Sequence, residues 1–216
     1  MGRENREIDP RYSVQALKQL PGLKNKTGDL TESIRINGAA IDLGMRALGP
    51  ESPFIGDLLS VRCILLDELK RIDEALDVCS RAVEARRIAY GDQDPRVATS
   101  LNNYAKALTG AGDYAQAAEI GEQVLEMRIR LLGPDHPRIA TALNNLGLAY
   151  KKLGNLDRAE ELYLESLELR RKIYGDAHPK VALAVSNLAG IHAVRDEPDK
   201  ALNGYREAAA IYEATL

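Results

Sequence analysis

Between Pro137 and Leu153 the apolar and small residues fall at Ile139, Ala142, Leu143, Leu146, Gly147, Tyr150 and Leu153. Steps of three and four trace one face of an α-helix, and no strand alternation competes with them. Pro137 stands where a first-turn proline is harmless, because its missing N–H would have had no helical partner. Gly154-Asn155 breaks the pattern. A second stripe follows at Leu156, Ala159, Leu162, Tyr163, Ser166, Leu167, Leu169, Ile173 and Tyr174, and Gly175 supplies C-cap chemistry. Arg170, Arg171 and Lys172 lie in that last turn, where positive charge suits the helix dipole. The pattern predicts two helices of about four to five turns each. Their short connection sets them antiparallel, and Gly147, Ala159 and Ser166 let them approach closely.

The pattern recurs every 42 residues. His136-Pro137 returns as His178-Pro179, Gly133 as Gly175, Leu143 as Val185, Asn145 as Asn187 and Ala159 as Ala201. Backwards the same step reaches Gly91, Asp94-Pro95, Leu101, Asn103 and Ala117, then Gly49, Ser52-Pro53, Leu59 and Ala75. A fixed period of this size marks a stacked repeat array, in which each hairpin relies on its neighbours to bury its apolar faces.

The run Leu146-Gly147, Tyr150, Gly154, Ala159, Tyr163 and Ser166-Leu167 resembles the tetratricopeptide repeat pattern. The 42-residue period, the LNNLG run from Leu143 to Gly147 and the LGPDHP linker from Leu132 to Pro137 are similar to the kinesin-light-chain variety. The resemblance covers residues 53–216 and, more weakly, 30–52. It implies an all-α fold, a right-handed superhelical solenoid of antiparallel helix hairpins. It is specific for the fold and says much less about the ligand.

In chain order, residues 1–10 form a polar tail and 11–52 a degenerate first repeat. In that repeat a short helix over 11–24 ends near Pro21-Gly22, and Leu30 to Leu48 is its partner, burying Ile34, Ile41 and Leu48. Full repeats follow at 53–94, 95–136 and 137–178, then a final one at 179–216. Its turn, Arg195-Asp196-Glu197-Pro198, departs from the Gly-Asp or Gly-Asn of the others. The expectation for the C-terminus is a truncated array, because no polar capping helix follows the last hairpin. An uncapped end also invites self-association.

Composition adds exclusions. A net charge of −3 with 28% charged residues describes an ordinary surface, not a nucleic-acid or anionic-membrane footprint. No run is apolar enough to span a membrane and no signal peptide opens the chain, so the expected location is cytoplasmic. Cys63 and Cys79 are too few for a disulfide framework. Cys63 occupies the tight-packing slot of Ala105 and Gly147, and Cys79 the slot of Gly121 and Tyr163. No zinc-ligand spacing, nucleophile elbow, HExxH or phosphate loop occurs, so no enzyme and no cofactor are expected.

The candidate chemistry is an asparagine ladder: Asn103, Asn145 and Asn187, with Asn102, Asn144 and Ser186 beside them. On the 137–153 helix, Thr141, Asn145, Leu148 and Lys152 lie opposite the core stripe. The resemblance maps that face onto a concave groove. An amide offers both a donor and an acceptor, so it suits the backbone of an extended peptide of any sequence. The competing reading has these amides bonding neighbouring helices or water. Lys106, Lys151 and Lys152 make this central stretch basic, whereas Asp57, Asp67 and Glu68 occupy the preceding repeat. Arg96, Arg138 and Lys180 each follow a linker proline, either edging the groove or forming a flanking ion pair. His136 and His178 sit where Ser52 and Asp94 would cap helices, which favours capping over metal binding. His192 stands alone, and Glu160-Glu161 is an exposed helical pair. Tyr90, Tyr150, Tyr163 and Tyr174 fall on buried stripes. The expected function is therefore a protein-interaction module holding a peptide or disordered segment. The alternative is a sensor or regulatory segment of a larger protein fused to a nucleotide-binding switch or protease domain.

Overall fold

A computed structural model describes residues 30–215. Among these residues all regular structure is helical: α1 (Leu30–Leu48), α2 (Pro53–Glu68), α3 (Ile72–Tyr90), α4 (Pro95–Ala111), α5 (Tyr114–Leu132), α6 (Pro137–Lys152), α7 (Leu156–Tyr174), α8 (Pro179–Val194) and α9 (Pro198–Glu213). The helix expected over 11–24 lies outside the described residues. The chain divides into two compact units between Ala111 and Gly112, inside the 95–136 repeat. In unit 1, α1, α2, α3 and α4 pack each on the next; in unit 2, α5 to α9 do the same.

The breaks repeat as faithfully as the helices. After α1, α3, α5 and α7 a glycine takes the left-handed region, with φ of 81° at Gly49, 78° at Gly91, 76° at Gly133 and 76° at Gly175. Inside each hairpin the left-handed position also recurs every 42 residues, at Lys70, Gly112, Gly154 and Asp196. Asp196, with φ 60°, fills the place of the missing glycine in the last repeat, and Pro198 then opens α9 at a position where proline is tolerated.

The core of unit 1 gathers Ile34, Ile55, Leu59, Leu66, Val78 and Ala107 around Cys63 and Cys79. The two cysteines are not separate small core residues. They form a disulfide with Cα atoms 4.9 Å apart, tying α2 to α3. In unit 2 the equivalent slots hold Gly147 and Tyr163. A Cβ on Gly147 would stand 2.8 Å from the Tyr163 ring, so only glycine admits the tyrosine there. Tyr163 is 1% exposed. The other tyrosines read as core are only half-buried: Tyr90 lies under the Arg96 guanidinium at 4.0 Å, Tyr174 stacks on His178, and Tyr150 donates to Glu122. Ala159 and Ser166 are fully buried, as close helix approach requires.

Candidate interaction surface

The asparagines are partly buried, and each is described within its own unit. In unit 1, Asn102 and Asn103 lie on α4; the Asn103 Nδ2 is shut away from solvent without an acceptor. In unit 2 the structure brings two of the amides together. Asn187 Nδ2 of α8 donates to Asn144 Oδ1 of α6 at 2.6 Å. Part of the ladder is therefore used between neighbouring helices, the competing role raised by the sequence. That bond leaves Asn144 Nδ2 and Asn187 Oδ1, one donor and one acceptor, for another group. Asn145, on α6, is not free.

The charges separate in a way the sequence did not foretell. Lys106 is not a free groove cation, because its Nζ lies 2.8 Å from the buried Asp67 carboxylate. Asp57 is likewise taken, by Arg86 at 3.2 Å. Lys151 and Lys152, by contrast, have no ion-pair partner among the described residues. Burial, and then the neighbouring Lys152 charge, lower the pKa of the Lys151 ammonium. Its Nζ lies over Gly190 of α8, 2.7 Å from where a Cβ would stand. Leu148 and Leu183 are exposed on the same two helices, so unit 2 presents amide, ammonium and aliphatic groups together.

The histidines cap. His136 Nδ1 accepts from the Arg138 N–H and His178 Nδ1 from the Lys180 N–H, both at 3.1 Å; the Asp94 carboxylate does the same for Arg96 at 2.8 Å. Ser52 makes no such side-chain bond. His192 is not alone, since its Nδ1 meets Glu197 Oε2 at 2.8 Å. The Lys200 hydrogen bond, and then that of His192, hold the Glu197 carboxyl below its usual range. The Glu160-Glu161 pair is engaged as well, Glu160 by Arg195 and Glu161 by Arg158. No cluster of metal-ligating side chains occurs among the described residues. None of their helices is long and apolar enough to cross a membrane.

A device the sequence reading passed over recurs in three of the second helices, α3, α5 and α7. Arg86, Arg128 and Arg170 are buried, and each Nη1 donates to the carbonyl of the residue after the next linker proline: Arg96 at 3.0 Å, Arg138 at 2.7 Å and Lys180 at 2.6 Å. Each arginine thus staples the linker that its own helix leads into. Arg170 serves this bond and not merely the helix dipole. The signal was present, because the three lie 42 residues apart. Arg86 also has Asp57 and the Ser100 hydroxyl, whereas burial and the nearby Arg138 push Arg128 down to about 10.

The tetratricopeptide repeat model matches residues 59–130, 119–172 and 138–214. No curated protein matches the chain by sequence. Among solved structures, the nearly identical TPR-like repeats of a kinesin light chain from Podosopora anserina share 19% identity at a TM-score of 0.77, covering 97% of this chain and 98% of that one. BtubC (BKLC) from P. vanneervenii shares 23% at 0.78, covering 96% and 84%. A Rap protein complexed with Competence and Sporulation Factor shares 16% at 0.76, covering 97% of this chain and 57% of that one. At these identities the likeness is one of fold.

Proposed function

Because the chain belongs to the tetratricopeptide repeat family, we propose that it is a non-catalytic protein-interaction module that binds a peptide or disordered segment of a partner. The segment runs along the exposed faces of the first helices of unit 2, α6 and α8. The observation that carries this reading is the Asn144–Asn187 pair. Its unused donor and acceptor are the complements of a peptide group, so it can hold a backbone whatever the side chains. Lys151 and Lys152 then favour a carboxylate beside it, while Leu148 and Leu183 offer aliphatic contact. The Rap complex with Competence and Sporulation Factor gives a precedent for a bound ligand on a similar fold.

The partner is a protein and not a nucleic acid, in keeping with the net charge of −3. The module works in the cytoplasm. There the Cys63–Cys79 bond is shielded because both residues are almost fully buried, and thiol exchange needs access to a sulfur. The test is capture from lysate with wild type beside the Asn103→Ala, Asn145→Ala, Asn187→Ala triple variant, read by mass spectrometry. Proteins lost only from the variant support the reading, and identical captures contradict it.

A further inference from the structure

Away from the asparagines, α5, α6, α7 and the α5–α6 linker enclose an open cavity of about 310 Å³ in unit 2. That is the lower end of the size range for a side-chain or small-ligand pocket. Its apolar wall includes Leu125 and Ile129 of α5, Leu143 of α6 and Leu169 of α7. Leu143 is buried, whereas Ile129 is 45% exposed and open to a visitor. Two carboxylates, Glu165 and Glu168, line the cavity from α7. They are three residues apart, hence on one face of the helix.

The repeat itself shows what such a notch accepts. One period later Ile129 becomes Arg171 and Glu165 becomes Glu207, while Leu125, Leu143 and Leu169 become Leu167, Val185 and Ile211. There the chain supplies its own cation, with Arg171 Nη2 on Glu207 Oε1 at 3.0 Å joining α7 to α9. At the cavity the apolar wall and the acid are kept and the arginine is gone. Neither Glu165 nor Glu168 has an ion pair among the described residues. Arg158 acts on Glu165 only through space, since its guanidinium is on Glu161 at 2.8 Å. Lys172, which also lines the cavity, is committed to Asp135 at 2.7 Å.

We propose that this notch receives an arginine side chain from a partner protein. The methylene stem lies on Ile129 and Leu169, and the guanidinium reaches Glu165 and Glu168. Arginine suits the site better than lysine because its planar fork can serve a carboxylate with two parallel bonds while its stem covers apolar surface. No asparagine lines the cavity, and the proposal does not depend on the function proposed for the asparagines.

The probe is the peptide acetyl-Ala-Arg-Ala-amide, with its uncharged citrulline twin as the control. Binding is followed by methyl NMR of the whole chain. The expected result is a set of saturable shifts at Leu125, Ile129 and Leu169 with the arginine peptide, at least about tenfold weaker with citrulline. Ile129→Arg rebuilds the Arg171–Glu207 arrangement inside the notch, so that variant should fold like wild type and lose the shifts at Leu125 and Leu169. Glu165→Gln with Glu168→Gln should make the two peptides equivalent. Equal shifts from both peptides on wild type, or an undiminished preference for arginine in the glutamine variant, would overturn the proposal.

Discussion

The two units are built from one repeat and spend their polar residues differently. Unit 1 closes its charges internally, with Arg86 on Asp57 and Lys106 on Asp67, and bonds Cys63 to Cys79 across its hairpin. Unit 2 has Gly147 and Tyr163 where the disulfide would be, and Lys151, Lys152, Glu165 and Glu168 have no ion-pair partner among the described residues. Unit 2 has ion pairs of its own, such as Arg195 on Glu160 and Lys172 on Asp135, so the contrast lies in these particular lysines and glutamates and in the disulfide. That difference is why the proposed binding role is placed on unit 2.

The largest expected effect is on the disulfide. Reduction, or Cys63→Ala with Cys79→Ala, should destabilise unit 1 by about 3 kcal/mol, given a separation of 16 residues. Native-state hydrogen exchange checks this: amides of α2 and α3 should lose protection and those of α6 and α7 should keep it. Equal loss in both units would show that the staple is not local. Next are the buried arginines. Arg86→Met removes the ion pair to Asp57 and the bond to Ser100 and should cost about 2–3 kcal/mol, whereas Arg128→Met removes a buried charge with no ion pair among the described residues and should cost less than about 1.5 kcal/mol. Urea midpoints of the two variants would sharpen or erase the contrast.

Gly147→Ala follows, at about 1–3 kcal/mol, because the new methyl would push against the buried Tyr163 ring. An unchanged melting temperature would refute that packing. The smallest effect is at the turns. Lys70 holds φ 58° without being glycine, so Lys70→Gly should stabilise unit 1 by about 0.5–1 kcal/mol. Asp196→Gly should gain less, since aspartate tolerates that region better.

Much of the fold was legible because periodicity acts over many residues at once. Pro53, Pro95, Pro137 and Pro179 each begin a helix, and Gly91, Gly133 and Gly175 each end one. Histidine capping was legible for the same reason, since His136 and His178 share a slot with Asp94. What stayed hidden depends on contacts between helices that no local spacing encodes. The Cys63–Cys79 bond needs the two slots to face each other across a hairpin, a fact that Gly147 and Tyr163 reveal only in three dimensions. Lys106 looked like a groove cation because Asp67 lies 39 positions earlier, on a different helix. The buried arginines were passed over, Arg170 being read only as a charge suited to a helix end, because terminal basic residues ordinarily face solvent.

The most direct test of the contrast between the units removes one kind of charge from each. Lys106→Gln in unit 1 and Lys151→Gln with Lys152→Gln in unit 2 would be compared with wild type in quantitative capture from lysate. The account predicts that partners fall away with the unit 2 variant and persist with Lys106→Gln. Loss with Lys106→Gln and retention with the unit 2 variant would contradict it.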